Sequence, residues 1–356
     1  MKALFLTRYG RLGASSRMRF LQFLPWFEQA GMKCTVAPLV DDTQLQVLYQ
    51  KGSYQLLDMF QAYCRRIHTM VQRHNFDLVW IEKEALPWLP AWFERFLLRG
   101  VPYVLDYDDA IFHNYDQHSS AWVRRFFGRR IDRLMAGARL IVAGNAYLAQ
   151  RALDAGALWV EIVPTVIDLD RYAVKSALTQ GGEPLRIVWI GSPSTVRYLA
   201  LLRAPLAAMS QRFALKLWVI GEGVIDLPGV DVQFVQWTEA TEVASIQACD
   251  IGVMPLFGFP WERGKCGYKL IQYMACGLPV VASPVGVNGE IVRVGENGFL
   301  ADTDSEWVDT LSRLLSDAAL RQKMGKAGRK RVAEEYCLQK VAPRLVALLR
   351  TAWEGC

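Results

Sequence analysis

The 356-residue sequence has no run of about 18 consecutive apolar residues, and its richest segments carry a charge or a proline, so no membrane-spanning helix is expected. Attachment to a membrane surface stays open. The chain opens MKALFLTRYGRLG, where a short apolar strand precedes charge and glycine, and no secretory h-region is expected there. The seven cysteines (Cys34, Cys64, Cys249, Cys266, Cys276, Cys337 and Cys356) are scattered, with no C-x-x-C pair. That argues against a disulfide framework and a structural zinc site, and for reduced thiols in the cytoplasm. Histidine is scarce: His68, His74, His113 and His118 show no H-E-x-x-H or comparable spacing. No dedicated metal and no cofactor are therefore expected, although a substrate could bring a metal with it. A large excess of one charge is also missing, since the net +6 is shared equally between residues 1–170 and the rest. Neither half reads as a nucleic-acid-binding tail.

With 52% hydrophobic and 21% charged residues, the composition is that of an ordinary globular protein, and the length suits two domains. Residues 2–7 read as a strand, followed by a glycine-containing loop and an amphipathic helix over 17–30. Further strands are predicted at 33–38, 78–82, 103–106 and 140–144, with helices between them, the alternation that builds a parallel sheet. After Pro164-Thr-Val-Ile-Asp168 the stretch 173–184 loses periodicity and gathers glycine and polar residues. The alternation then resumes with strands at 186–190, 215–220, 232–234, 251–254 and 279–282. We expect an α/β chain with an N-terminal domain at 1–170, a linker at 171–184, a C-terminal domain at 185–338, and a helix at 339–356. Ligands in such folds bind beyond the carboxyl ends of the strands.

Several loops at those ends have suitable chemistry. Ile190-Gly-Ser-Pro-Ser-Thr-Val-Arg197 offers Gly191 for close approach, the hydroxyls of Ser192 and Thr195, and the Arg197 guanidinium. It fits a phosphate as well as it fits an ordinary capped helix start. The loop at Gly221 lies in the equivalent place after the next strand. In Glu262-Arg-Gly-Lys-Cys-Gly-Tyr268, Lys265, Cys266, Gly267 and Tyr268 lead into a helix, where free amides, a positive dipole end and the lysine charge suit a pyrophosphate. Gln272, two turns in, is placed to reach a sugar hydroxyl. Asp106-Tyr-Asp-Asp109 ends a strand, with His113 close behind. Three neighbouring acids invite raised proton affinities, and Asp108, Asp109 and His113 are the candidate catalytic groups; a helix cap with solvated acids is the plainer alternative. Glu82, Lys83 and Glu84 end another strand and read as acceptor contacts or as an exposed charge run. Ser120–Ala136 mixes Arg124, Arg125, Arg129, Arg130 and Arg133 with Trp122, Phe126 and Phe127, which fits a helix on anionic lipid or a basic outer face around core anchors.

Ile271-Gln-Tyr-Met-Ala-Cys-Gly-Leu-Pro-Val-Val-Ala-Ser283, Gly286-Val-Asn-Gly-Glu-Ile-Val292 and Asn297-Gly-Phe-Leu300 resemble the signature of the retaining family 4 glycosyltransferases. Ala138–Leu148 and Ile162–Asp168 are similar to that family's passage between domains. The resemblance is dense after residue 185 and weak before residue 135. It implies the GT-B fold: two facing Rossmann-like, doubly wound domains with a cleft between them and a C-terminal helix crossing back to the first. It also implies transfer of a sugar, with retention, from a nucleotide-diphosphate donor such as a UDP- or GDP-sugar, with no protein nucleophile. The acceptor would be a glycan or lipid-linked glycan, in cell-envelope or exopolysaccharide synthesis. Gly13 and Arg17, in the loop after the first strand, would face the donor. The family carries two glutamates eight positions apart, and here those positions are Gly264 and Gln272. Its lysine and arginine for the diphosphate correspond to Arg197 and Ser192, with Lys265 able to compensate. Glu262 is the nearest acid able to stand in for the one missing at Gly264. That gap motivates two alternatives: an inactive nucleotide-sugar-binding partner or sensor, and a GT-B sugar-nucleotide epimerase or hydrolase.

Overall fold

Strands covered on both faces must be nearly continuously apolar, and the predicted runs at 78–82, 103–106, 140–144 and 251–254 are buried throughout, whereas those at 33–38 and 232–234 keep exposed residues. The computed structural model describes residues 1–174, 183–221 and 223–355. It divides the chain into two compact units: Met1–Val166 with Gly264–Cys266 and Val341–Cys356, and Ile167–Arg263 with Gly267–Lys340.

The first unit holds a parallel sheet of β1 (Lys2–Leu6), β2 (Lys33–Val36), β3 (Leu78–Glu82), β4 (Tyr103–Tyr107), β5 (Leu140–Ala143) and β6 (Val160–Ile162), in the order β2-β1-β3-β4-β5-β6. Every residue of β3, β4 and β5 is buried. The side of β1 that faces the first helices packs aromatics edge to face: Phe5 lies 5.0 Å from Trp80 and 5.5 Å from Phe27, between ring centres. Each such fully buried side chain stabilises the unit by roughly 1.5–3 kcal/mol.

The second unit holds β7 (Leu185–Ile190), β8 (Leu215–Ile220), β9 (Val232–Val235), β10 (Ile251–Met254), β11 (Val280–Ala282) and β12 (Gly298–Leu300), all parallel, in the order β12-β11-β10-β7-β8-β9. Trp189 and Trp307 are fully buried in its core. In each sheet the strand order reverses once, between β1 and β3 and between β7 and β10. The loops after these strands therefore open outward, leaving a crevice at each reversal.

Three expectations need correction. The helix expected over 17–30 begins earlier and is broken into Ala14–Arg19, a 3₁₀ turn at Leu21–Phe23 and Leu24–Gln29, because Pro25 can only stand in the first turn of a new helix. The linker expected from residue 171 starts too soon: Tyr172 is 3% exposed and packs in the second core with Ile167. The remaining part of it, residues 175–182, lies outside the described residues. Finally, Gly264–Cys266 groups with the first unit although the chain on either side belongs to the second. The final helix runs Leu338–Glu354, and from Val341 onward it counts with the first unit.

Candidate active site

The carboxyl ends of β1, β3 and β4 bring together a charged cluster within the first unit. Arg19 grips Asp106 through two hydrogen bonds, Nε to Oδ1 at 2.7 Å and Nη2 to Oδ2 at 2.9 Å, with both side chains buried. Burial pushes Asp106 up to about 6 against the opposing pull of Arg19. Asp108 lies 2.9 Å from Lys83 Nζ and accepts a hydrogen bond from Ser15. Burial alone would raise Asp108, but Lys83 and Ser15 outweigh it and hold the carboxyl below its ordinary value. Raised affinity for all three acids is thus corrected: Asp106 and Asp109 go up, Asp108 goes down, and the ammonium on β3's loop makes the difference. Asp109 is raised by burial and its side chain keeps 25% exposure, with Lys265 Nζ at 3.8 Å. Glu82 sits just below, raised by burial, taking hydrogen bonds from Ser16 and the Arg8 amide.

His113 does not fit the proton-accepting role expected of it. Both ring nitrogens are engaged, with Asp116 at 2.8 Å and the Tyr147 hydroxyl at 2.8 Å, so the imidazole ties its own short helix to helix Ala146–Asp154. Gly13 closes a turn through its amide to the Gly10 carbonyl, and Arg17 is buried with Nη1 on the Arg11 carbonyl. Sequence reading singles out neither Arg19 nor Ser15; Lys83, read there with Glu82 and Glu84 as an acceptor contact or part of an exposed charge run, is instead paired with Asp108.

In the second unit, β7 leads into the Gly191 loop, where Thr195 Oγ1 accepts from the Ser192 amide at 3.1 Å and returns a bond to the Ser192 carbonyl. Arg197 is exposed, its guanidinium 5.3 Å over the Tyr198 ring and 3.7 Å from Glu262. Glu262 is buried and accepts the Tyr198 hydroxyl at 2.6 Å. Burial and this bond push Tyr198 up to about 12, which keeps it a neutral donor. Glu262 therefore anchors the base of Arg197. Tyr198 was not anticipated, and no sequence signal beyond its place beside Arg197 marks it. Gly221 follows β8 with φ +126°, and the residue after it lies outside the described residues. Helix Tyr268–Ala275 starts at Gly267, whose φ of +63° suits glycine, and no side chain caps it. Gln272 is 2% exposed and donates to the Tyr172 hydroxyl at 3.1 Å, which in turn donates to Glu242 at 2.6 Å. The Tyr268 hydroxyl lies 3.5 Å from that of Tyr172. Cys266 is buried, its thiol directed at the Asp108 carbonyl at 3.2 Å and pushed up to about 12 by burial, so only its backbone is suited to a ligand.

The arginine cluster also reads differently in three dimensions. Instead of one helix, Ala121–Phe127 and Arg130–Met135 are separated at Gly128. Arg124, Arg125, Arg129 and Arg133 are exposed, but Arg130 is 1% exposed and clamps Glu84 (2.5 Å) and Glu94 (2.6 Å) inside the unit. Arg130 is thus unable to reach a lipid surface, and Glu84, which also accepts the Tyr115 hydroxyl, is not an acceptor contact.

Two family models match most of the chain between them: "Glycosyl transferase 4-like domain" over residues 33–166 and "Glycosyl transferases group 1" over residues 184–317. The chain belongs to the group 1 glycosyl transferases, family 4, with the GT-B fold. Similar relatives include a D-inositol 3-phosphate glycosyltransferase of Pseudarthrobacter chlorophenolicus, 26% identical over 53% of this chain and 50% of that protein. Another, from Paenarthrobacter aurescens, is 33% identical over 33% of this chain and 28% of its own length. The chain thus matches half or less of these two relatives. Among solved structures, Anabaena HepE in complex with UDP-glucose superposes with a TM-score of 0.72 at 16% identity, covering 99% of this chain and 100% of that one. WaaG, a glycosyltransferase involved in lipopolysaccharide biosynthesis, gives 0.69 at 13%, covering 98% and 99%.

In this group 1 glycosyltransferase, the missing acid at Gly264 has a steric cause. A Cβ there would lie 2.5 Å from Ala110 Cβ and 2.7 Å from the Ala110 amide nitrogen. No side chain fits without a backbone shift, and Asn145 pins the segment by donating to the Gly264 and Lys265 carbonyls, each at 3.0 Å. Among the described residues, no three His, Cys, Asp or Glu side chains come together as metal ligands, and no helix is long and apolar enough to cross a membrane.

Proposed function

We propose that this glycosyltransferase moves a sugar, with retention, from a nucleoside-diphosphate sugar to a glycan or lipid-linked glycan of the cell envelope or an exopolysaccharide. The observation that carries the donor reading is the start of helix Tyr268–Ala275, which no side chain caps, with Lys265 just ahead of it. An N-terminus of this kind presents amide donors and a positive dipole end to a diphosphate as charge develops on it. Arg197, exposed and steadied by Glu262 and Tyr198, adds a second cation, so the reading requires no resident metal or cofactor. Gln272, buried in that helix with its amide nitrogen on Tyr172, is the side chain we assign to a ribose hydroxyl. HepE, in structures with UDP and UDP-glucose, shares the fold, which supports a uridine donor.

The reading is tested by thermal shift and donor hydrolysis against UDP-, GDP-, ADP- and dTDP-sugars. Stabilisation by one nucleotide class with slow release of its diphosphate is expected; stabilisation without release would favour the sensor reading. Arg197→Ala and Lys265→Ala are each expected to weaken that donor by about 1.5–3 kcal/mol. Unchanged affinity in both variants would remove the diphosphate assignment.

Exposed Trp122 and Phe126, beside Arg124, Arg125 and Arg129, support contact with the inner face of a membrane and so a cytoplasmic, peripheral location. Vesicles containing phosphatidylglycerol should sediment the wild type, and Arg124→Ala/Arg125→Ala/Arg129→Ala should lose roughly 1 kcal/mol per arginine. Equal sedimentation of both proteins would reject the contact.

A further inference from the structure

The loop after β3 is held in place to an unusual degree. Among the described residues, only two that are not glycine have φ in the left-handed region, and both are in this loop: Lys83 at +64° and Trp88 at +62°. For a bulky residue this conformation is unfavourable and persists only where the surroundings impose it. The surroundings are plain to see. Glu94 accepts the Ala85 and Leu86 amides at 2.8 and 3.1 Å, and Arg130 donates to the Leu86 and Leu89 carbonyls at 2.6 and 2.5 Å. Tyr63 donates to the Pro87 carbonyl at 2.7 Å, and the Trp88 amide donates to the Tyr115 hydroxyl at 3.1 Å. Six backbone groups of the loop are thus tied down by four side chains, two of which, Glu94 and Arg130, belong to a buried ion cluster.

One end of this loop places Lys83 on Asp108. The other presents Trp88, whose indole lies 4.9 Å from the Tyr115 ring and 5.9 Å from the His118 ring, yet remains 47% exposed. A core residue needs no such exposure, and an aromatic that dips into lipid needs no fixed backbone. A rigid, half-open indole suits a ligand that requires a flat, electron-rich face at a set orientation, and the polarised C–H face of a pyranose ring is such a ligand. We infer that Trp88 is a stacking platform for a sugar ring of the acceptor, positioned at the carboxyl end of β3 by the Glu84–Arg130–Glu94 cluster. This rests on the glycosyltransferase reading for the word acceptor, but the sugar contact itself is tested separately.

The test uses the full chain and methyl glycosides of glucose, galactose, mannose and N-acetylglucosamine, followed by saturation-transfer NMR and titration. At least one glycoside should bind, and Trp88→Ala should weaken it roughly 5- to 20-fold, while Trp88→Phe retains part of the affinity. Trp88→Gly removes the ring and the backbone strain together, so it should keep or raise the melting temperature while losing the glycoside as alanine does. The affinity for UDP-glucose should stay unchanged in all three variants. Wild type that binds none of the glycosides, or Trp88→Gly that binds them as wild type does, overturns the proposal. So does loss of phosphatidylglycerol-vesicle binding in Trp88→Gly with glycoside binding intact, which would place the indole in lipid. If the wild type binds glycosides but no nucleotide sugar, the transferase reading fails and the sugar platform stands.

Discussion

Arg130→Ala is expected to destabilise the protein by about 3–5 kcal/mol, the range for breaking a buried ion cluster from one side. For a unit of this size that lowers the melting temperature on the order of 10 °C. The variant leaves Glu84 and Glu94 facing each other beneath the loop, with the Leu86 and Leu89 carbonyls also deprived of their donor. The pH dependence gives the mechanism away. Burial holds Glu84 above the ordinary carboxylate range even with Arg130 beside it, and without Arg130 it rises further. A carboxyl whose folded value exceeds its unfolded one binds more protons when folded, so the variant should recover stability as pH falls from about 7 towards 5. Thermal unfolding of both proteins across that interval checks this. A loss that is small and independent of pH would mean that Arg130 is a surface residue after all.

Asp109→Asn should reduce sugar transfer by about 10²–10⁴, the usual contribution of a positioned proton acceptor, with donor affinity unchanged. The choice of Asp109 follows from its surroundings. Asp106 is committed to Arg19, Asp108 is kept ionised by Lys83 and Ser15, and His113 has both nitrogens in use. Asp109 alone of these combines partial exposure with a proton affinity raised by burial, which suits a group that must take a proton from an acceptor hydroxyl. Activity should therefore fall as pH drops through a point above the ordinary aspartate value, and that limb should vanish in the variant. Steady-state rates against pH, with donor binding by calorimetry, test the assignment. A variant within about threefold of the wild-type rate would place the proton elsewhere.

The chain's alternation of strand and helix was legible because each strand of a doubly covered sheet must be apolar by itself, a local property visible in Leu78–Glu82 or Leu215–Ile220. The family was legible after residue 185 for a similar reason: the helix running into Pro279–Ala282 carries loop, helix and strand in one continuous segment. Residues 33–166 match a family model just as fully, but their site is assembled from short pieces after β1, β3 and β4, so no compact motif shows it. The strand end at Asp106–Asp109 could be located from sequence; which carboxyl gains and which loses proton affinity could not. That depends on Lys83 and Arg19, brought from other strands' loops.

Charge patterning misled where burial reversed its meaning. Arg130 belongs to a run that looks solvent-facing, and only the packing of Glu84 and Glu94 shows it to be interior. Gly264 looked like a lost acid until Ala110, far away in the chain, was seen to occupy the space of its side chain. The sequence by itself determined the two parallel α/β units and the family, since hydrophobic period and local motif are properties of neighbours along the chain. Tertiary structure alone decided which charges are buried, which are paired and where a proton can rest, because those energies depend on distance and dielectric between residues that only folding brings together.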